Sequence, residues 1–517
     1  MKPCGRRKLL SFNTLASLAT ATLLALGGIK EADAQTQSFE LQGAGAYNAE
    51  EILSFAAQLE IARTGTVTAE GIARTIETIY REDGYFLADA RVAADGRTIV
   101  LDEGEIGSLS IEGVDQKTFE LISGYFRPVV GKPGVTLAEF ERAVMLTEDI
   151  QSIAASAEVY YPAGQETAHV RVVAEQQDTS SGYVTLDNPA REFGDAATLT
   201  FSQEYVSLLT PGDLFRFELS GTSAFDGGED DLFGSVIYRM PIGSAGTYGE
   251  IYLGNAVGDR DANGTLRQTD LDGDTAIIAV GHPFVRSVDT YGYGLLELRQ
   301  SSSDNDLDGV STDFESTVNV LSASWIYGRA LQNGGAYEYA TNLAFGSRTS
   351  DAVGFDDGDE DFWHLRAGAA YQQPVSWFGE NSSFRVEVWG QYTNDRLPSI
   401  EEFYLGGIDD ERGYAFAEVQ GDSGVSAVFQ AGRDFYPQSG SIRRFRPFGF
   451  VDVGYVENNE PSATETDDEF LSSVGVGIDM EFENRFFAQA YVAAPTTSGP
   501  DTDSGDPAFY LAISKSW

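Results

Sequence analysis

Hydrophobic and polar residues alternate in short segments from about Gly182 to the end of the chain. In FRVEVWGQY, residues 384–392, Phe384, Val386 and Val388 share one face, and their Arg, Glu, Trp and Gln neighbours share the other. A period of two is the pattern of a β-strand. About sixteen such segments follow one another, roughly 21 residues apart, which is typical of an up-and-down barrel with an even number of strands. A soluble β-sandwich or propeller is the alternative.

Residues 36 to 175 have a different pattern, in which helices and strands take turns. In TAEGIARTIETIYREDG the isoleucines recur at helical spacing, and Thr68 stands where the helix needs an N-cap. A hairpin pattern follows in ARVAADGRTIVLDEG, and then strand, helix and hairpin patterns recur. Thr136 and Glu139 have the spacing of a capping box at the start of the last helix. The pattern predicts two small α+β units.

The connections between the predicted strands are of two kinds. One set is short and weakly charged, such as PIGSAG, HPFVRSV and GRALQNG. The other set is long and carries 29 Asp and Glu against three Arg and no Lys. Short turns at one end and long loops at the other are the asymmetry of an outer-membrane barrel, which a soluble sandwich has no reason to show. The long connections are residues 222–231, 257–274, 301–317, 347–361, 457–469 and 495–507.

The first 34 residues have the pattern of a secretory signal peptide. A basic start, MKPCGRRK, precedes a mostly apolar stretch and the small-residue triplet Ala32-Asp33-Ala34. A retained membrane anchor is the alternative. No later apolar run reaches the ~18 residues that mark a transmembrane helix. The sequence therefore predicts export of the chain, with residues 1–34 removed.

Charge and composition argue against several classes of protein. A formal net charge of −46 opposes a phosphate backbone, so no nucleic-acid partner is expected. The single cysteine, Cys4, lies in the predicted signal peptide, which leaves no disulfide and no thiolate site. His169, His282 and His364 are far apart in sequence, without metal-ligand spacing. The chain also lacks G-x-S-x-G and H-E-x-x-H motifs, so we do not expect an enzyme.

One acidic connection fits the formula of an EF-hand calcium loop. In DNDLDGVSTDFE, residues Asp304, Asp306, Asp308 and Glu315 stand at ligand spacing. No helical pattern flanks the stretch, and Asp-Gly clusters are frequent in this chain, so a solvated acidic loop is the alternative. Ca²⁺ is thus the one cofactor that the sequence suggests, and no other metal site is predicted.

Four stretches resemble a known family. VVGKPGVTLAEFERAVMLTEDI is similar to its second POTRA unit, and VTLDNPAREFGDAATLTFSQEYVSLLTPGDLF to its barrel entry. GGIDDERGYAFAEVQGDSG, residues 406–424, is similar to its GG…RGY…GDxG signature, between predicted barrel strands eleven and twelve. RPFGFVDVGYV and SSVGVGI resemble the next two strands. The chain therefore resembles the ShlB/FhaC/HecB-type outer-membrane transporters of two-partner (type Vb) secretion, in the BamA-like superfamily.

The resemblance implies a fold and a location. It implies α+β POTRA domains at residues 36–105 and 106–175, followed by an all-β transmembrane barrel at 180–517, with about 16 antiparallel strands. The barrel would lie in the outer membrane of a Gram-negative bacterium, with the POTRA domains in the periplasm. The resemblance further implies that the barrel contacts outer-membrane lipid and lipopolysaccharide. It also implies that the barrel assembly machinery inserts the chain and that the chain is a monomer.

The resemblance also implies a function, which is protein transport of the haemolysin secretion and activation type. The POTRA domains would capture a secreted, β-helical partner exoprotein, which then crosses the barrel lumen without ATP. Insertion or assembly of other outer-membrane proteins is the alternative, although the relatives that do this usually carry more than two POTRA units. A passive porin is disfavoured, because porins need no POTRA units.

A role for the loop at residues 394–422 follows from the same resemblance. The loop would fold into the lumen, where Arg412 pairs with Asp452 on the inner wall. A guanidinium suits this pairing, because its fork of donors can hold a carboxylate bidentately. Glu411 stands where relatives usually carry an aliphatic residue, and it is a competing partner for Arg412. The implied loop motif consists of Gly406, Gly407, Arg412, Gly413, Tyr414, Gly421, Asp422 and Gly424.

The N-terminus departs from several relatives, which begin with a plug helix and a linker. Here FELQG, a stretch of the first predicted POTRA unit, begins shortly after the predicted cleavage site. We therefore expect no plug helix, and we expect the loop that folds inward to be the main obstruction of the lumen.

Overall fold

The structure is a computed structural model of the 517-residue chain. It describes residues 39–188, 196–224, 230–260, 269–307, 314–350, 358–461 and 466–517. The expected signal peptide and the expected absence of a plug helix both concern residues outside these ranges. The chain divides into two compact units, of which one reaches Gln177 and includes residues 286–288, and the other holds the remainder. No helix within the described ranges is long and apolar enough to cross a membrane.

The N-terminal unit begins with two helices on a three-stranded sheet. The sheet order is β1-β3-β2, and the elements are β1 (Glu40–Gln42), α1 (Ala49–Thr64), α2 (Ala69–Glu82), β2 (Asp89–Val92) and β3 (Thr98–Asp102). Asn48 caps α1 and Thr68 caps α2, because each side chain accepts backbone hydrogen bonds from the first turn. The isoleucine face of α2 is buried as the spacing predicts, with Ile72 and Ile76 fully excluded from solvent.

The same arrangement recurs in the second half of this unit. Its elements are β4 (Ile106–Glu112), α3 (Gln116–Phe126), α4 (Leu137–Glu148), β5 (Ile153–Tyr160) and β6 (Ala168–Gln176), with sheet order β4-β6-β5. Thr136 and Glu139 form the predicted capping box at the start of α4. Strand β6 is parallel to β4 and antiparallel to β5. Strand β5 therefore lies at an edge of this sheet.

The C-terminal unit is a closed barrel of sixteen antiparallel strands, which confirms the expected fold class. Its last strand pairs with its first, so the sheet closes on itself. The barrel strands are β7 (Ser180–Asp187), β8 (Ala196–Val206), β9 (Leu214–Ala224), β10 (Asp230–Ile242), β11 (Thr247–Arg260), β12 (Thr269–Arg286), β13 (Thr290–Leu307), β14 (Phe314–Ala330), β15 (Ala336–Ser350), β16 (Asp361–Val375), β17 (Ser382–Tyr392), β21 (Ser423–Arg433), β22 (Ile442–Glu457), β23 (Asp468–Phe482), β24 (Phe486–Pro495) and β25 (Ala508–Ser516).

Alternation along each strand sorts the wall residues onto two faces. On β11, Ile251 and Leu253 remain about half exposed, at 49% and 55%. Glu250 lies on the opposite face and forms a salt bridge with Arg239 of β10. Because the outer face of a membrane barrel is apolar and its interior is polar, the exposed aliphatic residues face outward and the ion pairs face the lumen.

The bounds expected for the long connections are wrong in several places, because the strands are longer than expected. Strand β11 continues to Arg260 and β12 begins at Thr269, so much of the expected connection 257–274 is strand. The expected connection 301–317 is likewise shortened, since β13 ends at Leu307 and β14 begins at Phe314. Neighbouring strands are joined by hydrogen bonds between backbone N–H and C=O groups, so acidic side chains do not interrupt the pairing. Polarity alone therefore overestimates the length of a connection.

Candidate functional site

The connection between the eleventh and twelfth barrel strands folds back into the barrel. This segment, residues 393–422, is called the lumen loop below. It contains a 3-10 turn, Ser399–Glu401, and the strands β18 (Phe403–Leu405), β19 (Gly407–Tyr414) and β20 (Val419–Gly421). Strands β18 and β20 pair with each other, and β19 packs against the inner side of strands β21 to β25. The signature GG…RGY…GDxG thus lies inside the barrel.

Arg412 and Asp452 form a bidentate salt bridge in this structure. The Nε atom of Arg412 lies 2.8 Å from Oδ2 of Asp452, and Nη2 lies 2.8 Å from Oδ1. The backbone N–H of Arg412 donates to the same carboxylate at 3.1 Å. Nη1 donates to Gln430 at 3.1 Å, and the guanidinium stacks 3.4 Å above the ring centre of Phe450. Three of the five guanidinium N–H groups therefore donate to partners on the barrel wall.

The ion pair is buried, and burial determines how much free energy is lost when one partner is removed. Asp452 is 0% exposed and Arg412 is 6% exposed. Removing one partner of a buried ion pair typically costs about 3–5 kcal/mol, because the other charge is left without compensation. Removing either partner would therefore destabilise the lumen loop strongly, whereas breaking an exposed pair would cost about 0–1 kcal/mol.

Glu411 does not compete for Arg412. Its carboxylate accepts a hydrogen bond from the Ser426 hydroxyl at 2.8 Å, and its second oxygen is buried without a hydrogen-bond partner. Its backbone φ of +42° lies in the left-handed region, which non-glycine residues seldom adopt. Burial raises the pKa of this loop carboxyl to about 8, and the nearby Asp410 and Asp452 add to the rise. Glu411 is therefore mostly protonated at neutral pH.

Gly413 and Tyr414 complete the contact with the wall. Gly413 has a φ of +105°, and a Cβ there would approach Ala493 and Pro495 to 3.2 Å, so a larger residue would be strained. Tyr414 is fully buried, with its hydroxyl oxygen 2.8 Å from the carbonyl oxygen of Ser472 and 2.6 Å from that of Thr497. The tripeptide RGY thus contacts four neighbouring strands, β21 to β24, and the connection that follows β24.

The flanking glycine motifs shape the two ends of the loop. Gly406 has a φ of +101°, and a Cβ there would lie 2.3 Å from the carbonyl oxygen of Ala415. Gly407 also has a positive φ, and Gly421 and Gly424 lie close to β22, where a Cβ would meet atoms within 3.0 Å. Asp422 accepts backbone hydrogen bonds from Leu397 and Asn459, at 2.5 and 2.7 Å. These residues position the loop and leave Arg412 as its charged contact with β22.

Sequence reasoning missed two buried acids of the lumen loop. Glu418 accepts hydrogen bonds from the backbone N–H groups of Ala415 and Asp501 and from the Thr502 hydroxyl, at 2.7 to 2.9 Å. Glu401 is 0% exposed and lies among cationic residues of another part of the wall. Nothing in the sequence separates these two from the chain's 80 Asp and Glu, because only burial distinguishes them.

The residues of the calcium pattern are only partly described. Asp304 and Glu315 face each other across the ladder of β13 and β14, so the flanks are strands and not the helices of an EF-hand. Asp308 and the side chain of Asp306 lie outside the described residues. Among the residues that the structure describes, no group of three or more His, Cys, Asp or Glu is arranged to hold a metal ion. Calcium binding by this hairpin stays a prediction.

Comparison with known proteins gives consistent matches. The family model described as haemolysin secretion/activation protein ShlB/FhaC/HecB matches residues 166–480. The heme/hemopexin transporter protein HuxB of Haemophilus influenzae (strain 86-028NP) is 20% identical over 474 residues, 86% of this chain and 80% of the relative.

Solved structures share the fold at low sequence identity. CdiB from Escherichia coli has a TM-score of 0.74 and 15% identity, covering 99% of this chain and all of that one. CdiB from Acinetobacter baumannii has a TM-score of 0.72 and 12% identity, covering 93% of this chain and 89% of that one. BamA from Haemophilus ducreyi, lacking POTRA domains 1–3, has a TM-score of 0.52 and 12% identity, covering 86% of this chain and 93% of that one.

Proposed function

Because the chain belongs to the ShlB/FhaC/HecB family of two-partner secretion transporters, we propose that it exports one partner exoprotein through its own barrel. The observation that supports this function best is the lumen loop, held by the buried salt bridge of Arg412 and Asp452. A loop held by specific contacts of this kind would block the lumen at rest and could still be displaced. A passive porin would need an open channel and no such contact.

The POTRA domains would capture the partner in the periplasm. Strand β5 is an edge of its sheet, and an extended peptide can add to such an edge through backbone hydrogen bonds with few demands on sequence. We expect a photo-crosslinking side chain at Glu158, exposed on β5, to capture the partner. The same side chain at Glu120, exposed on α3, is the matched control and should capture little. Equal capture at both positions would contradict edge binding.

The export step would need no ATP. The sequence contains no G-x-x-x-x-G-K-[ST] loop, and the periplasm supplies no nucleotide. The partner would emerge unfolded, and its folding outside the cell would oppose its return. The outer face of the barrel would contact lipid and lipopolysaccharide, and the chain would be inserted by the barrel assembly machinery and act as a monomer.

Insertion of other outer-membrane proteins is the second candidate function. The likeness to BamA supports it only at the level of the fold, at 12% identity. The two candidates predict different effects of deleting the gene. Loss of export leaves the abundance of other outer-membrane barrels unchanged, whereas loss of an insertion factor lowers it.

The direct test is deletion of the gene for this chain in a strain that also produces the partner. A large secreted β-helical protein, where a neighbouring gene encodes one, would be the candidate partner. In the deletion strain that protein should accumulate in the periplasm, and the wild-type chain should restore it to the medium. The proposal is wrong if the partner reaches the medium equally well without this chain.

A further inference from the structure

The lumen loop has a second buried contact with the wall, at Glu401 in its 3-10 turn. The carboxylate is 0% exposed and lies 2.5 Å from Nη2 of Arg299. The Nε2 atom of His364, which is itself 1% exposed, lies 3.2 Å from the other oxygen. Arg366 donates to the backbone carbonyl of Glu401 at 2.9 Å, and its guanidinium lies 3.8 Å from the carboxylate.

These partners belong to a different part of the barrel from Asp452. Arg299 is on β13 and His364 and Arg366 are on β16, whereas Asp452 is on β22. Gln391 at the end of β17 adds a hydrogen bond to the Glu401 carbonyl at 3.0 Å and another to the Asp422 carbonyl at 2.9 Å. The loop is therefore attached to β13 and β16 through Glu401 and to β22 through Arg412, and weaker hydrogen bonds from Gln391 on β17 and Gln430 on β21 lie between these two charged contacts.

The charges at this contact explain why a carboxylate can be buried there. One carboxylate faces two guanidiniums, and an imidazole hydrogen-bonds to it. Burial alone would raise the pKa of Glu401, but the hydrogen bond from His364 and the charges of Arg299 and Arg366 outweigh it and lower the pKa. Glu401 is therefore ionised at neutral pH, and neutralising it would leave two cations on the inner wall without their buried counter-ion.

We propose that Glu401 is a second, independent anchor of the lumen loop, and that the loop leaves the lumen only when the Glu401 and the Arg412 contacts are both broken. Glu401 is a positioning residue in this scheme, since it acts through the loop and does not contact cargo. Its importance for export rests on the proposed function, but the anchor itself can be tested without any cargo. Two separated contacts also prevent the loop from opening after a single contact breaks by chance.

The test uses the full chain and a thiol reporter. Cys4, the sole cysteine, is replaced by Ser, and Leu405 in β18 is replaced by Cys. Leu405 is 0% exposed and lies between the two anchors in sequence, so a maleimide reaches the new thiol only when the loop moves. The protein is measured in detergent and in liposomes, after heat-modifiable migration on a gel has shown that the barrel is folded.

Glu401→Gln keeps the shape of the side chain and removes its charge. We expect the maleimide reaction to become faster by about a hundred-fold or more, since the wall cations then lose a buried counter-ion. Glu360→Gln makes the same charge change at an exposed position and should leave the rate unchanged. Arg299→Gln should accelerate the reaction like Glu401→Gln, and combining these two changes should add little, because they act on one contact.

Asp452→Asn breaks the other anchor. Combined with Glu401→Gln it should multiply the two rate increases, as independent contacts require. Channel openings in planar bilayers should follow the same order. The second anchor would be overturned if Glu401→Gln and Arg299→Gln react no faster than Glu360→Gln. The comparison is made in folded protein, under conditions in which Asp452→Asn does accelerate the reaction. If the rates change as expected while export by the wild type fails, the anchor stands and the proposed function falls.

Discussion

At the scale of single residues, the direction of neighbouring side chains decides which acid Arg412 contacts. Glu411 has a left-handed backbone φ of +42°, and its side chain reaches Ser426 on β21, whereas the Arg412 side chain reaches Asp452 on β22. The resemblance supplied the Arg412–Asp452 pair, but no sequence pattern predicts the left-handed conformation of Glu411. The role of Glu401 could not be predicted, because its partners lie about 35 to 100 residues away in the sequence.

The first prediction concerns the geometry of the Arg412 side chain. Arg412→Lys keeps the positive charge but loses the fork that contacts both oxygens of Asp452, Gln430 and the face of Phe450. We expect Arg412→Lys to resemble Arg412→Ala, with frequent channel openings in planar bilayers and reduced export, while the barrel still assembles. Export and conductance at wild-type levels in the lysine variant would show that charge alone is sufficient.

A second prediction follows from the raised pKa of Glu411. The pKa is about 8 in the packed loop, against about 4.3 for an ordinary Glu. Packing therefore favours the protonated form, and the stability it gives is complete below about pH 4.3 and is lost as the pH rises through 8. The charged form would lie close to Asp410 and Asp452, with Arg412 as the neighbouring cation and Ser426 as its hydrogen-bond donor.

The measurement is the frequency of channel opening at pH 5 and pH 8.5. Openings should become more frequent at the higher pH in the wild type. Glu411→Gln stays neutral throughout, so this variant should lose most of the pH dependence. If Glu411→Gln retains the full dependence, another group is responsible for it.

At the scale of elements, the helices and the short strands follow from local patterns. Helices α2 and α4 begin at the caps that the sequence predicts, because capping and apolar spacing are short-range signals. The ends of the barrel strands at the long acidic connections cannot be predicted from such local patterns. Strands β12 and β13 continue to 18 residues each through acidic segments, since a hairpin is held by its backbone ladder.

The seam of the barrel leads to a third prediction. Strands β25 and β7 share five residue pairs, fewer than the eight that join each of them to its other neighbour. Asn188, just past β7, adds side-chain bonds to the Phe509 carbonyl and the Leu511 N–H, at 2.8 and 2.6 Å. Its amide thus reinforces the end of the ladder, where the Asn188 backbone N–H also donates to the Leu511 carbonyl at 3.2 Å. Asn188→Ala should therefore weaken the seam by roughly 1–3 kcal/mol.

Heat-modifiable migration on a gel measures this change, because an intact barrel migrates differently from an unfolded one. The transition of Asn188→Ala should move to lower temperature by several degrees. Asn342→Ala, which removes one hydrogen bond to Ser324 inside the wall, is the matched control and should move it less. Equal shifts in both variants would mean that the seam has no special dependence on Asn188.

At the scale of the whole molecule, the sequence pattern and the resemblance together predicted the order of the parts. The sixteen-stranded barrel and the position of the lumen loop between its eleventh and twelfth strands agree with that expectation. The second contact of the loop did not follow from the sequence, because it depends on which buried residues the closed barrel brings together. In the closed barrel Glu401 lies against Arg299, which is 102 residues away in the sequence, and no local sequence pattern predicts such a contact.

Crosslinking of a partner stalled in transit tests the central claim most directly. A folded domain fused to the partner stops its export, and a photo-crosslinking residue replaces either Glu250 or Ile251 on β11. These neighbours face the lumen and the lipid respectively, so each is the matched control of the other. Passage through the barrel predicts adducts at position 250 and none at 251. Adducts at 251 alone, or at neither position while the unfused partner still reaches the medium, would contradict export through the lumen.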